Sequence, residues 1–176
     1  MFVVHGTKKF LERVKRAVGD TGPSTTALGN WYATAVFWKP QAALFVNERT
    51  LMPIIVPLAP ATSVTDRFPG HVSAVFAALG LDRSFIESEV AEMSDCRLAK
   101  TNSRSLLGSM NEFVYLGKAF SDDVRCYDSV ELSLELATVP CGPLYGRHET
   151  PENELRAFAV AWVNDRSLSA NPKALG

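Results

Sequence analysis

The sequence predicts an α+β fold: a small, mostly antiparallel sheet with helices packed on one face. Three observations carry the prediction. Strand-like segments gather early, where Trp31–Trp38 and Ala42–Val46 are rich in aromatic and other β-favouring residues. From Ser63 onward the apolar residues fall at the three-and-four spacing of helices. A single strand-like stretch, Arg97–Thr101, interrupts the helical half.

Each element follows in order. Phe2–His5 reads as a short strand. Thr7 is placed to cap a first helix, in which Phe10, Leu11, Val14 and Val18 share a face and which Gly19 would end. Lys8, Lys9, Arg13, Lys15 and Arg16 make that helix basic. Trp31–Trp38 and Ala42–Val46 flank Lys39-Pro40-Gln41, a turn, and so form a hairpin. Thr50–Val56 is a third strand. Pro53 and Pro57 confine it to a sheet edge, because proline cannot donate to a ladder. Val64, Phe68, Val72, Val75, Phe76 and Leu79 predict a helix ending at Gly80, with Pro69 a point where it could split. Asp82 caps another through Phe85, Ile86, Val90 and Met93. Ser103 or Ser105 opens the next, through Leu106, Leu107, Met110, Phe113 and Val114. Gly108 inside it costs about 1 kcal/mol relative to alanine. It would also admit a neighbouring backbone. Asp123–Thr138 and Glu152–Trp162 complete the helices. The organisation expected is one domain over residues 1–166 and a flexible tail over 167–176.

Composition narrows the function. The chain has 176 residues, 18 basic and 19 acidic, for a net charge of -1. That balance argues against a partner held by the whole surface, such as bulk duplex DNA. Cys96, Cys126 and Cys141 are far apart and form no CxxC pair. They read as reduced thiols packed as small apolar residues, and no metal or cofactor is expected. The apolar run near Met52–Ala61 is short and holds three prolines. It falls well below the ~20 residues a membrane span needs. A cytoplasmic protein with no membrane partner is the expectation.

Two polar stretches stand out within apolar sequence. One joins Leu28-Gly-Asn-Trp-Tyr-Ala33 to Leu44-Phe-Val-Asn-Glu-Arg-Thr-Leu51; the other is Lys100-Thr-Asn-Ser-Arg-Ser-Leu-Leu-Gly-Ser-Met-Asn-Glu-Phe113. A buried polar group left unpaired costs roughly 1–3 kcal/mol. Such residues therefore pair with one another or bind something. Arg49 offers a planar donor fork for phosphate or carboxylate. Lys100, Asn102, Arg104 and nearby hydroxyls surround a helix start, whose free amides attract anions. Arg104 and Asn111 lie two turns apart on one face. Asn47, Arg49, Lys100, Asn102, Arg104 and Asn111 are thus the candidate ligand residues. The competing reading of the same residues is a turn, a helix cap and a hydrogen-bonded network fixing helix to sheet. Trp31, Tyr32 and Trp38 suit a stacking platform less well than a core. A Cys141/His148 pair has only an accessible Pro-Cys-Gly-Pro loop in its favour.

The same words resemble a bacterial family known as a domain of unknown function. They are Leu28–Ala33, Leu44–Leu51 and Thr101–Glu112, with the N-terminal strand and its Lys-Lys-Phe-Leu helix also similar. The resemblance covers about residues 1–160. It implies a single-domain cytoplasmic bacterial protein, in some cases encoded near mobile-element or plasmid genes. It carries over no catalytic residue.

Three functions are open at this point. The leading one is a binding or regulatory module with a small anion site for a phosphate, a nucleotide or a nucleic-acid end. The second is a phosphodiester-cleaving enzyme such as a toxin-like ribonuclease, with Glu48 or Glu112 as general base and Arg104 stabilising charge. The third is a protein-interaction module or homo-oligomer whose polar blocks are structural and whose basic first helix is a contact surface.

Overall fold

A computed structural model describes residues 1–122 and 128–170. Five strands form one open mixed sheet in the order β4-β3-β2-β1-β5. They are β1 (Phe2–Gly6), β2 (Trp31–Val36), β3 (Ala42–Asn47), β4 (Pro53–Pro57) and β5 (Cys96–Lys100). β2–β3 and β3–β4 pair antiparallel, while β1 pairs parallel with β2 and with β5. The α+β class and the mostly antiparallel sheet are as expected.

The helices, in contrast, take both faces of the sheet rather than one. Helices α1 (Lys8–Val14), α2 (Val64–Ala78), α3 (Arg83–Glu92) and α6 (Pro151–Ala170) cover the face bearing Phe2, Val4, Trp31, Phe45 and Ile54. Helix α4 (Arg104–Asp122) covers the face bearing Tyr32, Leu44 and Val46 through Leu106, Met110 and Phe113. Helix α5 (Ser129–Ala137) adds Leu132 and Leu136 there. Every residue of β2 and β3 is buried, which one covered face cannot produce.

Local chemistry sets the boundaries. Thr7 stands at the N-cap of α1, but its hydroxyl donates to Thr34 Oγ1 at 3.0 Å and makes no cap bond. The helix stops at Lys15, which is left-handed at φ 55°, instead of running to Gly19. Val18 then leaves to form a single parallel bridge with Leu98. Pro69 lies inside α2 without dividing it. Asp82 caps α3 by accepting from Ser84 N at 2.8 Å. Asp128 and Glu131 make a reciprocal capping box on α5. The helix expected from Asp123 begins, in the described residues, at Ser129; Cys126 lies outside them. Helix α6 continues through Ala170, past the boundary placed at residue 166.

β4 is the edge strand its prolines predicted. Asn47 N donates to Met52 O and Leu58 N to Gln41 O, so residues 53, 55 and 57 face outward. Two of those are prolines, and Ile55 N donates to Ser133 Oγ of α5 at 2.8 Å. The edge exposes no N–H along its length, which blocks pairing with another chain.

Candidate functional site

The first polar block is a closed knot. Asn47 ends β3 and is fully buried. Its Nδ2 donates to the carbonyls of Leu28 (3.1 Å) and Asn30 (3.3 Å). Its Oδ1 accepts from Arg49 N (3.0 Å), Thr50 N (3.1 Å) and Thr50 Oγ1 (3.2 Å). Next to it, Glu48 N donates to Asn30 O, and the Glu48 carboxylate accepts from Asn30 N (2.8 Å) and Nδ2 (3.2 Å). Gly29 makes the approach possible. Its φ is +77°, and a Cβ there would lie 2.6 Å from Glu48 Oε1. The Leu-Gly-Asn and Asn-Glu-Arg-Thr words are two halves of one structure.

Glu89 of α3 holds the same loop from the other side. It is 1% exposed, and its carboxylate accepts from Ala27 N at 2.8 Å and from Leu28 N. Burial pushes its carboxyl up to about 7, against the opposing pull of those amides, the Thr26 hydroxyl and the Arg49 charge. Its position three and four residues after Ile86 and Phe85 put it on an apolar helix face, which was the available signal.

The second block is open by comparison. Asn102 Oδ1 accepts from Tyr32 Oη at 2.6 Å. The Tyr32 ring stacks on His5 at 4.7 Å, and His5 Nδ1 lies 3.1 Å from Lys100 O. Ser103 Oγ caps α4 by accepting from Leu106 N at 3.3 Å. Arg104, Ser105, Asn111 and Glu112 are exposed.

One cleft of about 480 Å³ joins the two blocks. Glu48 and Arg49 enter it from the β3–β4 turn, Ser103 and Ser105 from the first turn of α4, and Tyr32 stands between them. Leu51 and Leu106 give it apolar surface, and Pro143, Leu144 and Arg147 close the far side. Desolvation raises the Tyr32 phenol, and the Glu48 charge adds to the shift. Arg147 is paired with Glu154, which leaves Arg49 as the exposed cation of the β3–β4 turn.

The predicted site residues separate accordingly. Arg49 lines the cleft, and Asn102 supports it through Tyr32. Asn47 lies beneath, with its amide engaged throughout. Lys100 lines a different hollow, with Gly6, Lys8 and Leu11. Arg104 and Asn111 are exposed on α4 and do not line the cleft. Glu112 is exposed and does not line the cleft; its charge helps to raise the Cys141 thiol. Tyr32 as a lining residue was hidden by its place in an apolar strand. Arg147 comes from a distant loop, and no sequence signal tied it to either block.

Trp31 is fully buried edge-on to Phe68, and Trp38 packs on the α4 backbone at Gly117, in keeping with the core role expected over a stacking platform. Two other expectations need correction. Cys141 is 2% exposed, not accessible; burial pushes its thiol up to about 11. His148 pairs instead with Glu154 at 2.7 Å. Gly108 admits no neighbour, since a Cβ there would meet nothing within 4 Å. Among the described residues no group of three or more potential metal ligands comes together, and no helix is long and apolar enough to cross a membrane.

Comparison with known families places the chain. A family model described as a domain of unknown function (DUF6933) matches residues 3–154, most of the chain, and the chain belongs to that family. No curated protein and no solved structure matches it.

Proposed function

We propose that this member of the family is a binding module whose cleft, between the β3–β4 turn and the start of α4, takes a small phosphate-bearing anion. One observation carries the reading: Arg49 and the hydroxyls of Ser103 and Ser105 line a single cleft at the start of a long helix. The exposed N–H groups of that first turn favour negative charge, and a guanidinium supplies the paired donors a phosphate accepts. Tyr32, Leu51 and Leu106 offer an aromatic and apolar wall for the organic part of a nucleotide or strand end. Asn102 keeps Tyr32 in place. The bacterial origin and the gene near mobile elements kept with this reading rest on the resemblance; the cytoplasmic setting rests also on the reading of the cysteines as reduced thiols.

Glu48 lines the same cleft, which is what speaks for phosphodiester cleavage as a second reading. Against it, both carboxylate oxygens are engaged by Asn30.

A thermal-shift screen with inorganic phosphate, nucleoside mono- and triphosphates and short RNA tests the proposal. Binding to the native state raises its melting temperature by mass action. The wild type is expected to shift, Arg49→Ala to lose the shift, and Arg104→Ala to keep it. No shift with any of these ligands, or one that survives Arg49→Ala, would overturn the reading.

A further inference from the structure

β5 is the other edge of the sheet, and it is unlike β4. Thr101 N donates to Gly6 O and Gly19 N to Leu98 O. Residues 97, 99 and 101 therefore face β1, while Cys96, Leu98 and Lys100 turn their backbone outward. Of these three, Leu98 is bridged to Val18, and the Lys100 carbonyl lies 3.1 Å from His5 Nδ1, which leaves the Lys100 N–H facing outward. No proline lies in this strand.

Beyond the bridge lies a hollow of about 630 Å³. Gly6, Leu11 and Val18 give it an apolar floor, with Lys8, Glu12, Lys100 and Thr101 around them. Val18 is 40% exposed there. The adjoining chain is basic: Lys8–Arg16 holds Lys8, Lys9, Arg13, Lys15 and Arg16 against Glu12 alone, in a protein of net charge -1. Arg16 is engaged by Asp66 at 2.6 Å, whereas Lys8 reaches Glu12 only at 3.9 Å, with both side chains largely exposed.

From this juxtaposition we infer that the corner between α1 and β5 docks an extended acidic segment of a partner protein, one of whose carbonyls accepts from the outward N–H of Lys100. Backbone pairing supplies affinity, and alternate side chains supply specificity: apolar ones enter the hollow and acidic ones meet Lys8 and Lys100. A nucleic acid fits less well. No aromatic ring lines the hollow for a base to stack on. The site is separate from the cleft at α4 and does not depend on it.

The test is amide exchange at Lys100, read by NMR on the full chain. The probe is a pool of short peptides with glutamate at alternate positions and varied apolar residues between. At a free concentration about tenfold above Kd, exchange slows about tenfold. The expected result is that slowing with the glutamate pool, none with the same pool carrying lysine, and none in K8E/K100E, whose two exposed changes leave the melting temperature in place. No protection at millimolar pool would overturn the inference. So would equal protection by a single-stranded oligonucleotide, by free glutamate, or by raising the protein's own concentration, which would mean a nucleic-acid surface, a simple anion site or a self-contact.

Discussion

Asn47 and Arg49 are two residues apart on one turn and do opposite things. Asn47 is buried, with two hydrogen bonds to the Leu28–Asn30 loop and three within the β3–β4 turn. Arg49 is exposed and faces a cleft. The contrast extends to the whole blocks: the first is a satisfied network, while the second, on α4, leaves Arg104, Asn111 and Glu112 in solvent. A dense run of polar residues in apolar sequence thus reports two separate needs, positioning and exposure. Only contacts tell them apart.

The largest effect expected from breaking the comparison is at Asn47. Asn47→Ala strands the Leu28 carbonyl, two amides and the Thr50 hydroxyl, and should cost about 3–5 kcal/mol. At this chain length that is a fall in Tm of roughly 10 °C. Asn111→Ala, on the exposed α4 face, should stay within about 0.5 kcal/mol. Denaturant melts of the two variants check the pair; similar losses would erase the distinction.

Glu89 gives the next effect, and its sign is fixed. Its carboxyl rises in the fold from 4.5 to about 7. The folded state therefore holds a proton that the unfolded chain has released between those values. The contribution to stability is fully present below pH 4.5 and is lost as pH rises towards 7. The loss is about 3 kcal/mol. Glu89→Gln should flatten that part of the curve, so the difference between wild type and variant should change with pH across this window. A difference independent of pH would show that the carboxyl is not raised.

Two glycines give the smaller, opposed effects. Gly29→Ala, at positive φ and against Glu48, should destabilise by about 2 kcal/mol. Gly108→Ala, whose Cβ meets open space, should stabilise α4 by about 1 kcal/mol. A loss of stability at Gly108 would mean that the helix face is covered in solution.

Much of the fold was legible. Pro53 and Pro57 marked β4 as an edge because a missing N–H is a local property. Asp82 marked a helix start for the same reason. The cover on both faces was also written in the chain, since Trp-Tyr-Ala-Thr-Ala-Val and Ala-Ala-Leu-Phe-Val carry apolar or small residues at nearly every position and do not alternate with charged ones. Other features were not local. The interior place of β1, between two parallel partners, depends on long-range pairing. The amide of Asn47 and the guanidinium of Arg49 look alike as donors in sequence, and burial alone assigns one to the knot and the other to the cleft. Arg147 and Pro143–Leu144 reach the cleft only through tertiary folding.

The most direct measurement is an amide NMR titration of the wild-type chain with inorganic phosphate. The division of labour on this turn predicts saturable shifts confined to Arg49, Ser103 and Ser105, with Asn47 unmoved and the Arg49→Ala variant silent. Shifts centred on Lys100 and Lys8, or no saturable shift at any concentration, would contradict it.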